Sequence, residues 1–206
     1  LPALPAVFTL VGISYNMLKA IDAVFYVYYA DQRISLPVSL LVIAGSYLLL
    51  YFDLSGYSDI AIAVGSFTGF VLPENFKQPW TAASFTQFWR KWHVTLSDWI
   101  REHIFVVVSG KRLSRWAGAL IGLATMIVMS LWHEFSLLAV IDGIYMGAFL
   151  AFENLFGLTT ADKRRMKKGV YLLRCVLVTF FFAVNTLFFT LNTEQIFAVL
   201  KGLICL

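Results

Sequence analysis

Charged residues are scarce in this chain of 206 residues, where they make up 14% of the sequence. An ordinary soluble domain has roughly 25%. Hydrophobic residues reach 60% and aromatic residues 17%, so the composition excludes an ordinary soluble domain and is typical of a membrane protein. The formal net charge of +4 is no evidence for a nucleic-acid partner, because in a membrane protein the location of positive charge matters more than its sum. We predict the lipid bilayer as a partner and no nucleic acid.

Cysteine and histidine are also rare. Cys175 and Cys205 lie far apart in apolar sequence, which fits neither a disulfide framework nor metal-ligand spacing. His133 is followed by glutamate, as in helical zinc proteases, but Leu137 stands where the second histidine ligand should be. The histidines as a set show no metal spacing either, so we predict no metal site. A serine-nucleophile elbow and a phosphate loop are missing too, which leaves covalent catalysis through a protein nucleophile unsupported.

Long apolar runs, by contrast, are abundant. A membrane-spanning helix needs about 20 apolar residues, and uncharged runs approach or meet this length at Leu36–Phe52, Trp116–Leu131 and Cys175–Thr193. Other apolar stretches lie at Val7–Leu18, Ile60–Pro73 and Phe135–Phe152. We predict an all-α, multi-pass transmembrane helical bundle with interfacial or re-entrant helices. It would have about five to seven membrane elements in a single domain over residues 1–206.

The chain termini and the basic residues suggest how this bundle is arranged. Leu1–Leu10 lacks the basic segment and cleavage site of a signal peptide, and a chain that begins with leucine is expected to be a fragment. Lysine and arginine cluster in Lys77–Arg115 and Lys163–Lys168, so both segments should be cytoplasmic. Between them, Trp116–Phe152 is long enough for two passes with a turn near Trp132-His133-Glu134. A tilted helix followed by a re-entrant segment fits the same length.

The segment Ser84–Phe105, "SFTQFWRKWHVTLSDWIREHIF", has a different pattern. At 100° per residue its aromatic and aliphatic residues gather on one face, and its charged residues lie opposite. This predicts one amphipathic helix in the membrane interface, with Trp89, Trp92 and Trp99 as interface anchors. His103 falls near the middle of the apolar face and His93 at its edge.

Ionisable residues inside membrane spans cost about 2.5 to 3.5 kcal/mol each on insertion scales and usually face a partner or water. Lys19 and Asp22 are placed to pair on one helix. Asp53 and Asp59 bracket "DLSGYSD", whose serines and glycine predict a helix end, break or kink. Asp142 is a further intramembrane carboxylate.

His133 lies in "MSLWHEFS", a polar interruption of an apolar run. It fits two interpretations: a packed histidine, or a general base. Burial disfavours the charged imidazole, which would leave a neutral base available near pH 7.

Several stretches together resemble the membrane-bound O-acyltransferases, especially the branch that acts in alginate O-acetylation and D-alanyl transfer to lipoteichoic acid. They are "YFDLSGYSDIAIAVGSFTGFVLPENFKQPW", the Ser84–Phe105 segment, "MSLWHEFS" and "FFTLNTEQIFAVLKGL", and they cover most of Tyr51–Leu206. Their order makes the resemblance specific.

The resemblance implies a multi-helix membrane enzyme with a tunnel. Such an enzyme moves an acyl group from a thioester donor to a hydroxyl on the other side of the membrane. The family's "WHG" motif places its catalytic histidine on His133, and "FWxxWH" places a second functional histidine on His93. No bound cofactor is expected. The co-substrate would be acetyl-CoA or an acylated carrier protein. The acyl group would be acetyl or D-alanyl, and the acceptor would be an envelope polymer. The implied location is the bacterial plasma membrane, with an extracytoplasmic acyltransferase or carrier protein as partner.

The sequence also departs from the family pattern. Glu134 replaces the glycine that usually follows the catalytic histidine, and a segment with Pro-Gln and Gly-Pro-Ile is missing between Arg33 and Leu36. The chain would therefore be the C-terminal part of a longer family fold. Two alternatives remain open: a secondary transporter, which would use broken helices and intramembrane carboxylates, and a non-catalytic scaffold of an envelope-biosynthesis complex.

Overall fold

The fold is taken from a computed structural model, which describes residues 19–22, 24–25, 34–105 and 114–204. Within these ranges every regular element is helical and no strand occurs, which confirms the predicted all-α class. The apolar stretch Val7–Leu18 and the second cysteine, Cys205, lie outside the described ranges. The pairing of Lys19 with Asp22 stays a prediction.

Seven α-helices have defined bounds in the described part of the chain. They are α1 (Leu36–Phe67), α2 (Phe85–Trp89), α3 (Val94–Ile100), α4 (Arg115–His133), α5 (Leu137–Phe156), α6 (Lys168–Thr190) and α7 (Thr193–Ile204). A 3₁₀ turn at Pro79–Thr81 precedes α2, and a π-helical turn at Arg101–Phe105 follows α3. Helices α1, α4, α5 and α6 are long and apolar enough to cross a membrane. Each overlaps one of the apolar runs predicted from the sequence, and α1 and α4 contain theirs completely.

Helix α1 differs from the prediction, because it continues through the Asp53–Asp59 segment as one helix of 32 residues. The hydroxyls of Ser55 and Ser58 donate hydrogen bonds to the carbonyls of Phe52 and Leu54. They are thus satisfied within the helix and leave its backbone ladder intact. Asp53 and Asp59 lie inside the helix, and the predicted helix end was wrong.

Two compact units divide the described residues. One contains the chain up to Glu74 together with the part from Ala183 onward, and the other is Asn75–Phe182. In the first unit α7 packs against the start of α1, where Gly202 leaves no room for a Cβ beside Ser39. Both candidate histidines belong to the second unit. The single domain over residues 1–206 stays a prediction.

The second unit is built on an antiparallel hairpin of α4 and α5, as one of the two sequence interpretations predicted. The ends of the hairpin meet, since the Arg115 guanidinium lies 3.8 Å from the Cβ position of Gly157. A Cβ on Gly143 would come within 2.5 Å of the Ile127 Cα, so glycine is needed for this close approach. The Ser136 hydroxyl accepts a hydrogen bond from Ala139 N at 3.2 Å and caps α5.

A buried hydrogen bond joins the two helices near the hairpin turn. The Ser130 hydroxyl donates to the Asp142 carboxylate at 2.6 Å, and the Asp142 residue is 3% exposed. Buried polar groups are normally satisfied in this way. Asp142 therefore links α5 to the last turn of α4, the turn that carries His133.

Candidate active site

The segment predicted as one amphipathic helix, Ser84–Phe105, is interrupted before His93. Helix α2 ends at Trp89 and α3 begins at Val94, and the intervening turn bonds to an earlier loop. Val94 N donates to Asn75 O at 2.9 Å, and Lys77 N donates to Lys91 O at 2.8 Å. These two bonds take the place of local helical bonds, which is why the prediction of a single helix was wrong.

His93 has an unusual backbone conformation at this interruption. Its φ and ψ angles are 46° and 54°, in the left-handed region, where a residue with a Cβ costs roughly 1–2 kcal/mol. Strained residues of this kind cluster at functional sites. His93 also begins α3, since its carbonyl accepts the Ser97 amide at 3.0 Å.

The His93 imidazole is half-buried. Its ring centroid lies 6.2 Å from that of Phe76. Nδ1 is buried and has no hydrogen-bond partner within the described part of the chain. Burial lowers the pKa of His93 below its ordinary value, and the charge of His133 lowers it further. An interaction of the ring with the backbone of His93 itself opposes part of this shift. His93 is consequently neutral near pH 7.

An aromatic cluster holds the chain on the N-terminal side of His93. Trp92 is 4% exposed, and its ring centroid lies 5.0 Å from Phe76 and 4.8 Å from Phe182. Phe88 is fully buried against Trp92 and Phe182. Trp92 is therefore a core residue and its prediction as an interface anchor was wrong, whereas Trp99 is exposed. The position of His93 rests on this packed cluster.

Glu153 fixes the start of α2 from across the unit. This residue of α5 is 6% exposed. Its carboxylate accepts hydrogen bonds from Phe85 N at 2.6 Å, Thr86 N at 2.9 Å and the Thr86 hydroxyl at 2.8 Å. An anion at a helix N-terminus satisfies amides that lack intrahelical partners. The same carboxylate therefore connects the hairpin to the short helix that leads to His93.

Replacing Glu153 by glutamine should lower the free energy of unfolding by about 2–3 kcal/mol, because charge-assisted hydrogen bonds are lost and an amide N–H₂ faces backbone donors. Thermal unfolding in detergent would measure the change. Glu194→Gln, at an exposed position in the first turn of α7, is the matched control and should be close to neutral. Equal stability of the two variants would contradict the anchoring role of Glu153.

His133 is the last residue of α4 and directly precedes the hairpin turn. Its ring lies edge-on to Trp132, with centroids 4.9 Å apart, and it is exposed in the described structure. Glu134 N donates to Ser130 O at 3.2 Å and closes the helix. Glu134 itself has extended backbone angles, so the residue that replaces the family's glycine needs no left-handed conformation.

The two candidate histidines come from different elements of the same unit. The charge of His133 contributes to the lowered pKa of His93. A neutral imidazole can accept a proton at one nitrogen and donate from the other. Across the described residues no group of three histidine, cysteine or acidic side chains could hold a metal ion.

His103 has a different environment from the other two histidines. It is exposed, although the sequence placed it on the apolar face. Its Nδ1 lies 3.0 Å from Trp99 O, and its ring stacks on Trp99 with centroids 4.8 Å apart.

Sequence reasoning missed Glu153 and Asn75, which position the His93 segment. One local signal was available. Ser84 and Gln87 form the Ser-x-x-Gln pattern that marks a helix start, and the Ser84 hydroxyl accepts Gln87 N at 3.1 Å. A helix start at this point requires partners for its first amides, but the sequence does not say which distant carboxylate supplies them.

Comparison with known proteins gives a family and several relatives. The model of the membrane-bound O-acyltransferase family matches residues 2–193. The chain is 42% identical over 115 residues to the probable alginate O-acetylase AlgI of Pseudomonas putida. It is 31% identical over 157 residues to the peptidoglycan O-acetyltransferase of Helicobacter pylori. Over 125 residues it is 28% identical to the teichoic acid D-alanyltransferase of Bacillus subtilis.

These matches cover most of this chain but a minor part of each relative. They include 56%, 75% and 57% of the chain, and 24%, 29% and 32% of the three relatives in the same order. The chain therefore spans about a quarter to a third of the length of the relatives it matches.

Proposed function

Because the chain belongs to the membrane-bound O-acyltransferase family, we propose that it transfers an acyl group from a thioester donor to a hydroxyl of a cell-envelope polymer. The observation that carries the proposal is the family match over residues 2–193, which includes His93 in the α2–α3 turn and His133 at the end of α4. The alginate, peptidoglycan and teichoic acid relatives support the polymer acceptor.

His133 acts as the general base in this proposal. It takes the proton of the acceptor hydroxyl as the oxygen attacks the thioester carbonyl carbon. The C–S bond then breaks, the acyl group stays on the acceptor oxygen, and the thiolate leaves and is protonated. A neutral His93 orients the donor or donates a hydrogen bond to its carbonyl oxygen, where negative charge develops. The surrounding helices hold donor and acceptor together, and such proximity can lower the activation barrier by about 7 to 11 kcal/mol.

The acyl group is acetyl or D-alanyl, as in the named relatives, and the donor is acetyl-CoA or an acylated carrier protein. We place the protein in the bacterial plasma membrane as a multi-pass protein. Four apolar helices of spanning length support this location. Lys77–Arg115 and Lys163–Lys168 lie on the cytoplasmic side in this arrangement. A partner acyltransferase or carrier protein outside the membrane would complete delivery to the polymer.

The transporter and scaffold alternatives find less support. Transport was suggested by a helix break near Asp53–Asp59, yet α1 is continuous there. The carboxylate of Asp142 is tied to Ser130 in the hairpin, which gives it a structural role. A scaffold would give no role to His93 and His133.

Mass spectrometry of the envelope polymer tests the proposal. The polymer is isolated from cells that carry the gene, lack it, or carry a restored copy. Loss of an ester-linked acetyl or D-alanyl group in the deletion strain, with recovery on restoration, is the expected result, and the mass identifies the group. Unchanged ester content in the deletion strain would argue against acyl transfer.

A further inference from the structure

The start of α3 is capped differently from the other helices of its unit. Helices α2, α4 and α5 each follow a serine with extended backbone, and the hydroxyl of that serine accepts the amide three residues further on. His93 has the equivalent position before α3, but its backbone is left-handed and its side chain makes no capping hydrogen bond. A residue that caps with its own side chain normally has extended backbone angles. The first turn of α3 therefore needs an acceptor from another part of the chain.

Asn75 supplies this acceptor. Its Oδ1 accepts hydrogen bonds from Thr95 N at 3.1 Å and from the Thr95 hydroxyl at 3.0 Å. Thr95 is the second residue of α3, and amides of the first turn have no partner within the helix. Asparagine is among the residues that cap helices best. Asn75 thus takes the capping role that the side chain of His93 does not fill.

The backbone around Asn75 also fixes the conformation of His93. Two backbone hydrogen bonds hold Asn75–Lys77 against the chain, one on each side of His93. The Phe76 ring lies in this segment, with its centroid 6.2 Å from that of His93. Among the described residues, His93 and Gln78 are the two non-glycine residues with positive φ, and Gln78 directly follows the segment. Such conformations persist only where the surrounding contacts determine them.

This arrangement leaves the His93 imidazole for another task. A ring that capped α3 would use a nitrogen on a helix amide. Nδ1 of His93 is buried, so Nε2 is the nitrogen through which the ring can donate, as a neutral imidazole does from one nitrogen. We propose that Asn75 is a positioning residue for acyl transfer: it caps α3 in place of His93 and holds the imidazole with Nε2 toward the donor carbonyl. The inference rests on the proposed function, in which His93 acts on the donor.

Two substitutions of Asn75 in the full-length protein test the role of its Oδ1. Asn75→Ala removes this acceptor and keeps both backbone hydrogen bonds, so we expect it to fold. Its initial rate of polymer acylation per folded protein should fall about 10- to 100-fold, because a small displacement of a positioned group can cost this much. Asn75→Asp keeps Oδ1 and should recover most of the wild-type rate at about pH 8, where the His93 imidazole is neutral. Equal losses in the two variants would overturn the proposal.

Asn192 provides a matched control for the loss of a cap. It directly precedes α7, in the other unit, and its Oδ1 accepts Gln195 N at 3.0 Å. Asn192→Ala should lower the melting temperature about as much as Asn75→Ala does, because each loses a cap of the same kind. Its acylation rate per folded protein should stay close to that of wild type. If Asn192→Ala loses as much activity as Asn75→Ala, the effect of Asn75 is one of stability alone and the positioning role is overturned.

Nuclear magnetic resonance of full-length protein with labelled histidine reports the placement of the ring without turnover. The His93 signals are those that disappear in His93→Gln, and the ring current of Phe76 makes them sensitive to position. Asn75→Ala should move or broaden them, whereas Asn75→Asp and Asn192→Ala should leave them near their wild-type positions. Unchanged His93 signals in Asn75→Ala would overturn the proposal. This result decides the placement of His93 even if wild-type protein does not acylate the polymer, an outcome that would count against the proposed function.

Discussion

Replacing His133 by alanine should lower polymer acylation about 10²- to 10⁴-fold, because a positioned general base contributes a factor of this size. The replacement is made in the full-length protein, and ester content of the polymer is compared at matched membrane levels. His133 is exposed in the described structure and ends α4, so removal of its ring leaves the hairpin packing intact. The expected loss is therefore one of chemistry rather than of folding.

Two further variants make the His133 experiment specific. His133→Gln keeps hydrogen-bonding capacity but cannot take up a proton near neutral pH, so it should be nearly as inactive as alanine. His103→Ala removes an exposed imidazole that is stacked on Trp99 and should retain most of the activity. Substantial acylation by His133→Gln would rule out general-base catalysis by His133.

Much of the helical architecture could be predicted from the sequence, because the membrane requirement dominates it. A span must satisfy its backbone hydrogen bonds internally and present apolar side chains to lipid. The runs within Leu36–Phe52 and Trp116–Leu131 therefore identified α1 and α4. The α4–α5 hairpin was one of two arrangements that the length of Trp116–Phe152 allowed, and in it a turn near His133 was expected.

The interruption before His93 was not predictable from periodicity. The apolar face of Ser84–Phe105 continues across the interruption, and Phe85, Phe88, Trp92 and Ile100 are all buried. The tertiary hydrogen bonds from Val94 N to Asn75 O and from Lys77 N to Lys91 O decide the outcome, and such bonds between distant residues leave no local signal. The wrong prediction of a helix end at "DLSGYSD" has a local cause instead. The serines of this segment donate hydrogen bonds to carbonyls of the same helix, so the helix continues through it.

The candidate site was identified by motif. Resemblance assigned His93 and His133, and the structure places both in the unit Asn75–Phe182. Their positioning contacts were not found, because Glu153 binds the start of α2 and Asp142 binds α4, each through a hydrogen bond to a distant residue. A carboxylate in an apolar helix indicates that some partner exists, but only the fold identifies it.

His93 allows activity and stability to be separated, because its backbone is strained and its ring is the proposed functional group. His93→Ala and His93→Gly both remove the imidazole, so both should reduce acylation strongly, by about 10²-fold or more if the ring donates to the developing oxyanion. Glycine adopts the left-handed angles of φ 46° and ψ 54° without a Cβ clash. His93→Gly should therefore be more stable than His93→Ala by about 1 kcal/mol.

The contribution of His93 to the free energy of unfolding changes with pH in a defined direction. Its pKa in the folded protein is lowered by burial and by His133, so between the folded and unfolded pKa values the unfolded state binds more protons. The stability contribution is then fully present above the ordinary value of 6.5 and is lost as pH falls toward the folded pKa. His93→Gly should remove this part of the acid destabilisation.

Thermal unfolding of wild type, His93→Ala and His93→Gly at pH 7.5 and at pH 5, together with acylation assays of the same preparations, measures both effects. The expected result is two inactive variants, of which the glycine form melts higher and shows a smaller fall in melting temperature on acidification than wild type. If alanine and glycine forms melt together, the left-handed backbone does not carry the expected strain. If either variant acylates the polymer at the wild-type rate, the imidazole of His93 neither orients the donor nor stabilises its carbonyl oxygen. His133 would then have to act as the base without help from His93.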